Sequence, residues 1–173
     1  IVYAGNIGEG QGLDKIVPQA AGLLAVGYEF RIIGDGGAKK KLNEELGRQR
    51  VTNVELLNPM SREMLVKEYL DADFLFIHLN DYEAFKKVLP SKIFELSVFN
   101  RPIVAGVGGY AHDFIRENLS GSILFAPGDY KSMARQIKEM DSRSTSVDRQ
   151  DFISRYRRDN INGRMAGSIL SYL

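Results

Sequence analysis

Lys92 and Glu95 stand three residues apart in the stretch F-K-K-V-L-P-S-K-I-F-E-L-S-V-F-N-R-P-I-V-A-G-V-G-G, residues 85–109. Leu89 and Pro90 close a loop, and Pro90 suits the first turn of a helix, where a missing N–H is no loss. Ser91 and Lys92 then fall at a helix start, where backbone N–H groups and the dipole favour an anion. Glu95 lies about one turn further on nearly the same face. That spacing suits a phosphate held at the helix start and a carboxylate one turn deeper that accepts sugar hydroxyls. It equally suits a surface Lys–Glu pair on an ordinary amphipathic helix.

Other chemistry-bearing residues are few. His78, at the end of the apolar run D-F-L-F-I, could act as a general base or phosphate donor, but a lone strand-end histidine more often bonds its neighbours. Lys39, Lys40 and Lys41 read as a solvated helix face, and Tyr156, Arg157 and Arg158 as a solvated helix end. G-N-I-G-E-G-Q-G does not match G-x-G-x-x-G, because the third place falls on Leu13. Asp35 is a weak candidate for the acid that a dinucleotide site would want. There is no G-x-x-x-x-G-K-[ST] and no G-x-S-x-G.

Short apolar runs alternate with helical patterns, which predicts βαβ units and a parallel sheet. Strands are expected at residues 1–4, 28–33, 54–57, 73–77, 102–105 and 122–125. Helices are expected at 13–25, 38–46, 62–70, 110–118 and 130–140, at the Ser91–Glu95 stretch, and as one or two helices over 148–173. Pro18 should delay or kink the first of them. Ser61 and Asp129 are candidate N-caps, Met64, Leu65 and Tyr69 have helical spacing, and residues 142–146 read as a polar linker. The fold class is therefore α/β: a Rossmann-like three-layer α/β/α domain with a six-stranded parallel sheet and about seven helices. In such sheets ligands bind outside the carboxyl ends of the strands. The glycine loops at 5–12, 34–37 and 106–109 all fall there, as do His78 and the Ser91–Lys92 turn.

At 173 residues the chain fits one domain, and 44% hydrophobic residues support a packed core. A net charge of +1, from 23 basic and 22 acidic residues, provides no field toward nucleic acid or an anionic membrane. With no cysteine and two histidines, disulfides, thiolate chemistry and a structural zinc are not expected. No apolar run approaches a membrane span, and a cytoplasmic location is expected. The opening I-V-Y-A-G begins in mid-strand, which suggests a fragment of a longer protein.

L-P-S-K-I-F-E followed by R-P-I-V-A-G-V-G-G resembles the nucleotide-sugar-binding half of GT-B glycosyltransferases of family 4. Y-A-G-N-I-G-E-G-Q-G-L-D, F-R-I-I-G-D-G-G, V-E-L-L-N-P-M-S-R-E-M-L, Y-L-D-A-D-F-L-F-I-H and S-I-L-F-A-P-G-D fall in that family's order, so the likeness spans nearly the whole chain. The P-S-K-I-F-E form is most similar to bacterial amino-sugar transferases of surface-polysaccharide synthesis. The resemblance implies that residues 1–173 are the C-terminal domain of a two-domain enzyme, with an N-terminal acceptor domain absent. It implies a UDP-sugar donor, retention at the anomeric carbon, and no metal or cofactor.

Residue by residue, it implies a diphosphate at the Ser91–Lys92 helix start, with Leu89 and Pro90 beside it, and a ribose at Glu95. Lys92 and Glu95 are the candidate catalytic pair. The first Glu of the family's E-x7-E pair would fall at Lys87, a departure that Glu83 could compensate. Asn6 and Gln11 stand where the family often places Arg and Lys, leaving Gly5, Gly8, Gly10 and Gly34 to offer backbone. The uracil-type base is expected near Asn58 and Pro59, and the tail from Phe152 crossing back toward the first domain. The implied partners are a glycan or lipid-linked acceptor, with the full-length protein at the cytoplasmic face of the inner membrane, and no nucleic acid. Two rivals remain: half of a UDP-sugar 2-epimerase, and a non-catalytic module with a degenerate site.

Overall fold

Leu75–His78 and Ile103–Gly106 are buried along their whole length, as strands covered by helices on both faces must be. They are the fourth and fifth of six parallel strands in a computed structural model that describes residues 1–141 and 147–172. The strands are β1 (Val2–Asn6), β2 (Phe30–Asp35), β3 (Val54–Leu57), β4, β5 and β6 (Ser122–Phe125), in the order β3-β2-β1-β4-β5-β6. The order reverses between β1 and β4, which opens a crevice at the carboxyl ends of these two strands.

The helices are α1 (Leu13–Leu23), α2 (Lys39–Arg48), α3 (Arg62–Asp71), α4 (Lys92–Leu96), α5 (Gly109–Asn118), α6 (Tyr130–Asp141), α7 (Gln150–Tyr156) and α8 (Arg158–Leu170). Ile16, Val17, Leu42 and Ile137 place α1, α2 and α6 in one apolar layer. Tyr69, Ile93, Ile115 and Phe152 place α3, α4, α5 and α7 in the other. The three-layer Rossmann-like expectation therefore holds.

Several local expectations are corrected. The helix that starts at Leu13 runs through Pro18 rather than starting after it, with Pro18 buried. Met64 points to solvent, while Tyr69 on the same helix is fully buried. The loop before α4 contains a 3₁₀ turn over Glu83–Lys87. His78 is the last residue of β4, not the first beyond it. Ser61 accepts the Met64 N–H at 3.4 Å and Asp129 the Ser132 N–H at 3.0 Å, as their cap positions predicted. The tail forms two helices, and α8 continues through Gly163 and Gly167. The polar linker expected at residues 142–146 lies outside the described residues.

Candidate functional site

Two glycines make the floor of the site. Gly5 and Gly34 pair across β1 and β2. Gly34 has φ +146°, and a Cβ there would sit 1.9 Å from the Gly5 carbonyl oxygen. Only glycine lets the two strand ends come this close. Above them lies a cleft of ≈ 420 Å³, lined by Ala4, Gly5, Asn6, Ile33, Gly34 and Asp35 from the strand ends. Pro59, Met60, Leu65 and Lys92 complete its lining. Its size and mixed apolar and backbone lining suit a small organic ligand. Two further hollows, near Ile1–Glu29–Asp73 and near Asp148–Phe152, lie away from the carboxyl ends of the strands.

Lys92 reaches the cleft from the start of α4, its stem passing 3.9 Å from where a Gly5 methyl would be. Its ammonium donates to Glu95 Oε2 at 2.8 Å. The Tyr69 hydroxyl donates to Glu95 Oε1 at 3.2 Å. The surface-pair geometry that the i, i+3 spacing allowed is therefore present, and it sits at the mouth of the cleft. The helix behind it is short. Pro90 lies outside α4 and its carbonyl accepts the Ile93 N–H, while α4 itself has five residues. One and a half turns carry only part of a full helix dipole, so the positive charge at this end of the cleft is chiefly the Lys92 ammonium.

Of the residues singled out in the sequence, the cleft brings together Gly5, Asn6, Gly34, Pro59 and Lys92, with Glu95 attached through Lys92. Gly8, Gly10, Asn58, Leu89, Pro90 and Ser91 do not line it. Gly8 cannot offer its N–H, because Gln11 Oε1 accepts it at 3.2 Å and also accepts from Asn6 Nδ2 at 3.0 Å. Gly10 faces the Phe85 ring. Glu83 pairs with Lys86 on the surface, with its side chain 88% exposed.

Lys39 is not a solvated lysine. Its ammonium donates to the carbonyls of Gly34 (2.8 Å) and Leu57 (3.2 Å) and to Asn58 Oδ1 (3.0 Å), tying the ends of β2 and β3 together. Lys41 pairs at 2.8 Å with the buried carboxylate of Asp14; only Lys40 of the three is fully in solvent. His78 is a structural residue. Its Nδ1 lies 2.6 Å from the Gln11 carbonyl, and its Nε2 accepts the Gly128 N–H at 3.0 Å. Nε2 as acceptor makes Nδ1 the protonated donor of a neutral ring. Burial, above all, lowers its pKa to about 4. Sequence reasoning missed Ala4, Ile33, Met60, Leu65, Lys39 and the hydroxyl of Tyr69; the only signal for Tyr69 was its place on the apolar side of α3.

α4 is held from outside the sheet by aromatic packing. Phe94 stacks on Phe152 of α7 at 5.9 Å and meets Phe114 of α5 at 5.8 Å and Tyr156 of α7 at 5.4 Å. Arg149, almost wholly buried, donates to the carbonyls of Phe99, Arg101, Ser120 and Gly121. The tail thus fixes both the site helix and the chain that leaves it.

Comparison with known proteins agrees with this architecture. The chain is 30% identical over 93 residues to an Escherichia coli protein named "Putative colanic acid biosynthesis glycosyl transferase WcaI"; the match covers 54% of this chain and 23% of that protein. In structure it is similar to Anabaena HepE, solved in complex with UDP, with a TM-score of 0.76 at 17% identity, over 99% of this chain and 48% of that one. It is also similar to the lipopolysaccharide outer core galactosyltransferase WaaB, with a TM-score of 0.72 at 18% identity, over 99% and 49%. The chain thus spans about a quarter of WcaI and about half of each solved neighbour. The sequence profile described as glycosyl transferases group 1 matches residues 1–142, and the chain belongs to that family.

Proposed function

We propose that this chain is the donor-binding domain of a retaining, metal-independent glycosyltransferase that takes a UDP-sugar in bacterial polysaccharide synthesis. The observation that carries the reading is the meeting of Lys92 and Glu95 at the mouth of a glycine-floored cleft on the carboxyl edge of the sheet. The uracil fits the part of the cleft walled by Pro59, Met60 and Leu65. The ribose falls toward Glu95, whose carboxylate accepts its hydroxyls. The diphosphate falls toward Lys92, which must leave Glu95 to meet it. As the bond from the anomeric carbon to the β-phosphate oxygen breaks, negative charge grows on the departing UDP, and the Lys92 ammonium stabilises it. The acceptor hydroxyl oxygen makes the new bond on the face the diphosphate leaves, and its proton passes to the departing β-phosphate oxygen. In this reading the acceptor, a glycan or a lipid-linked sugar, is presented by the other half of a two-domain enzyme working at the cytoplasmic face of the membrane. Support for the donor comes from family membership and from the UDP held by HepE.

Calorimetry with UDP tests the assignment. A charge-assisted contact contributes about 1.5–3 kcal/mol, so Lys92→Ala and Glu95→Ala should each weaken UDP by about 10–100-fold. Affinities indistinguishable from that of the unaltered chain would remove both residues from the site.

A further inference from the structure

We infer that Tyr69 is a positioning residue for Glu95: its hydroxyl fixes the rotamer of the carboxylate that takes the ribose. The inference rests on the ribose reading of Glu95 and adds a residue from a different helix. Tyr69 stands on α3, whereas Glu95 stands on α4, so the contact joins the two helices that flank the cleft. The ring of Tyr69 is 1% exposed and packs edge-on against Phe99 at 5.0 Å. A ring held this way can aim its hydroxyl in few directions. The direction taken is toward Glu95 Oε1, at 3.2 Å.

Glu95 needs such an anchor. Its side chain is 45% exposed, on a helix of five residues, so backbone geometry alone does not restrict it. The only other partner the carboxylate has among the described residues is Lys92, at 2.8 Å. In the proposed complex Lys92 turns to the diphosphate, and that bond is the one given up. Tyr69 then remains the single protein donor on Glu95, leaving the lone pairs of Oε2 and one of Oε1 free for two neighbouring hydroxyls. Burial, and then the adjacent Glu95 carboxylate, push the Tyr69 phenol above its ordinary pKa range, so it stays a donor at all working pH values. A buried tyrosine hydroxyl also needs a partner for its own sake, and the test must separate that need from a role in binding.

The test compares UDP with its 2′,3′-dideoxy analogue by calorimetry on the 173-residue chain. The four proteins are the unaltered chain, Tyr69→Phe, Glu95→Ala and the double variant. The unaltered chain should prefer UDP by about tenfold or more, and Glu95→Ala should abolish the preference. Tyr69→Phe should reduce the preference about three- to tenfold while leaving affinity for the dideoxy ligand within about twofold, which also controls for the fold. On the Glu95→Ala background, Tyr69→Phe should change neither affinity. A preference that survives Tyr69→Phe, or an equal loss for both ligands, overturns the positioning role and leaves the ribose reading standing. An unaltered chain without any preference overturns the ribose reading, and the positioning role with it.

Discussion

At Gly34 a single hydrogen in place of a side chain decides whether the site exists. A methyl there would overlap the Gly5 carbonyl and hold φ at +146° against its own preference. Gly34→Ala should therefore destabilise the chain by about 2 kcal/mol or more, read from urea unfolding, and should weaken UDP binding as the strand ends part. His78 permits a pH prediction. Its folded pKa of about 4 lies below the ordinary value of 6.5, so the unfolded chain binds the extra proton between the two. The stability this neutral ring contributes is fully present above about pH 6.5 and falls as pH drops toward about 4, by about 2–4 kcal/mol in all. Urea midpoints between pH 7 and 4 should decline less steeply in His78→Gln. The Lys92–Glu95 spacing and the glycine loops were legible in the sequence because both are local patterns. The Lys39 clamp was not: its acceptors at Gly34, Leu57 and Asn58 become neighbours only when β2 and β3 pair. The same holds for Gln11, whose fold-back onto Gly8 depends on the shape of one turn. Lys39→Met should cost about 1–3 kcal/mol, since it leaves those acceptors without a charged donor.

Among the elements, α4 has the least support of its own. Five residues cannot form a stable helix in isolation, so tertiary packing must hold it. Phe94 supplies that packing from within α4, and Phe152 and Tyr156 receive it from α7. Phe152→Ala should cost about 3–5 kcal/mol in urea unfolding. It should also shift the amide resonances of Lys92 and Glu95, through the Phe94–Phe152 contact that holds their helix. A shift confined to α7 would contradict that dependence. Strands and the longer helices were legible because their periodicities differ, and because runs such as F-L-F-I, residues 74–77, are apolar on both faces. Helix ends near Pro18 were less so: proline disfavours a helix interior, yet burial of Ile16, Val17 and Ala20 against the sheet carries α1 through it. The role of α7 was invisible, because nothing local says which helix an aromatic residue will meet.

For the whole molecule, the sheet order places the crevice and the glycine loops together at the carboxyl ends of the strands. The chain spans about half of its solved neighbours. In the proposed scheme the acceptor is presented by another half, so the 173-residue chain should bind UDP yet release none from a UDP-sugar above the blank rate. Among the described residues no helix is long and apolar enough to cross a membrane. In the proposed function UDP lies in the cleft between the ends of β1 and β2 and the start of α4. Amide-shift titration of the chain with UDP reports on this most directly. Saturable shifts are expected at Gly5, Asn6, Gly34, Lys92 and Glu95, with little change around the Asp148–Phe152 hollow. Saturable shifts confined to that hollow, or none at the cleft at millimolar UDP, would contradict it.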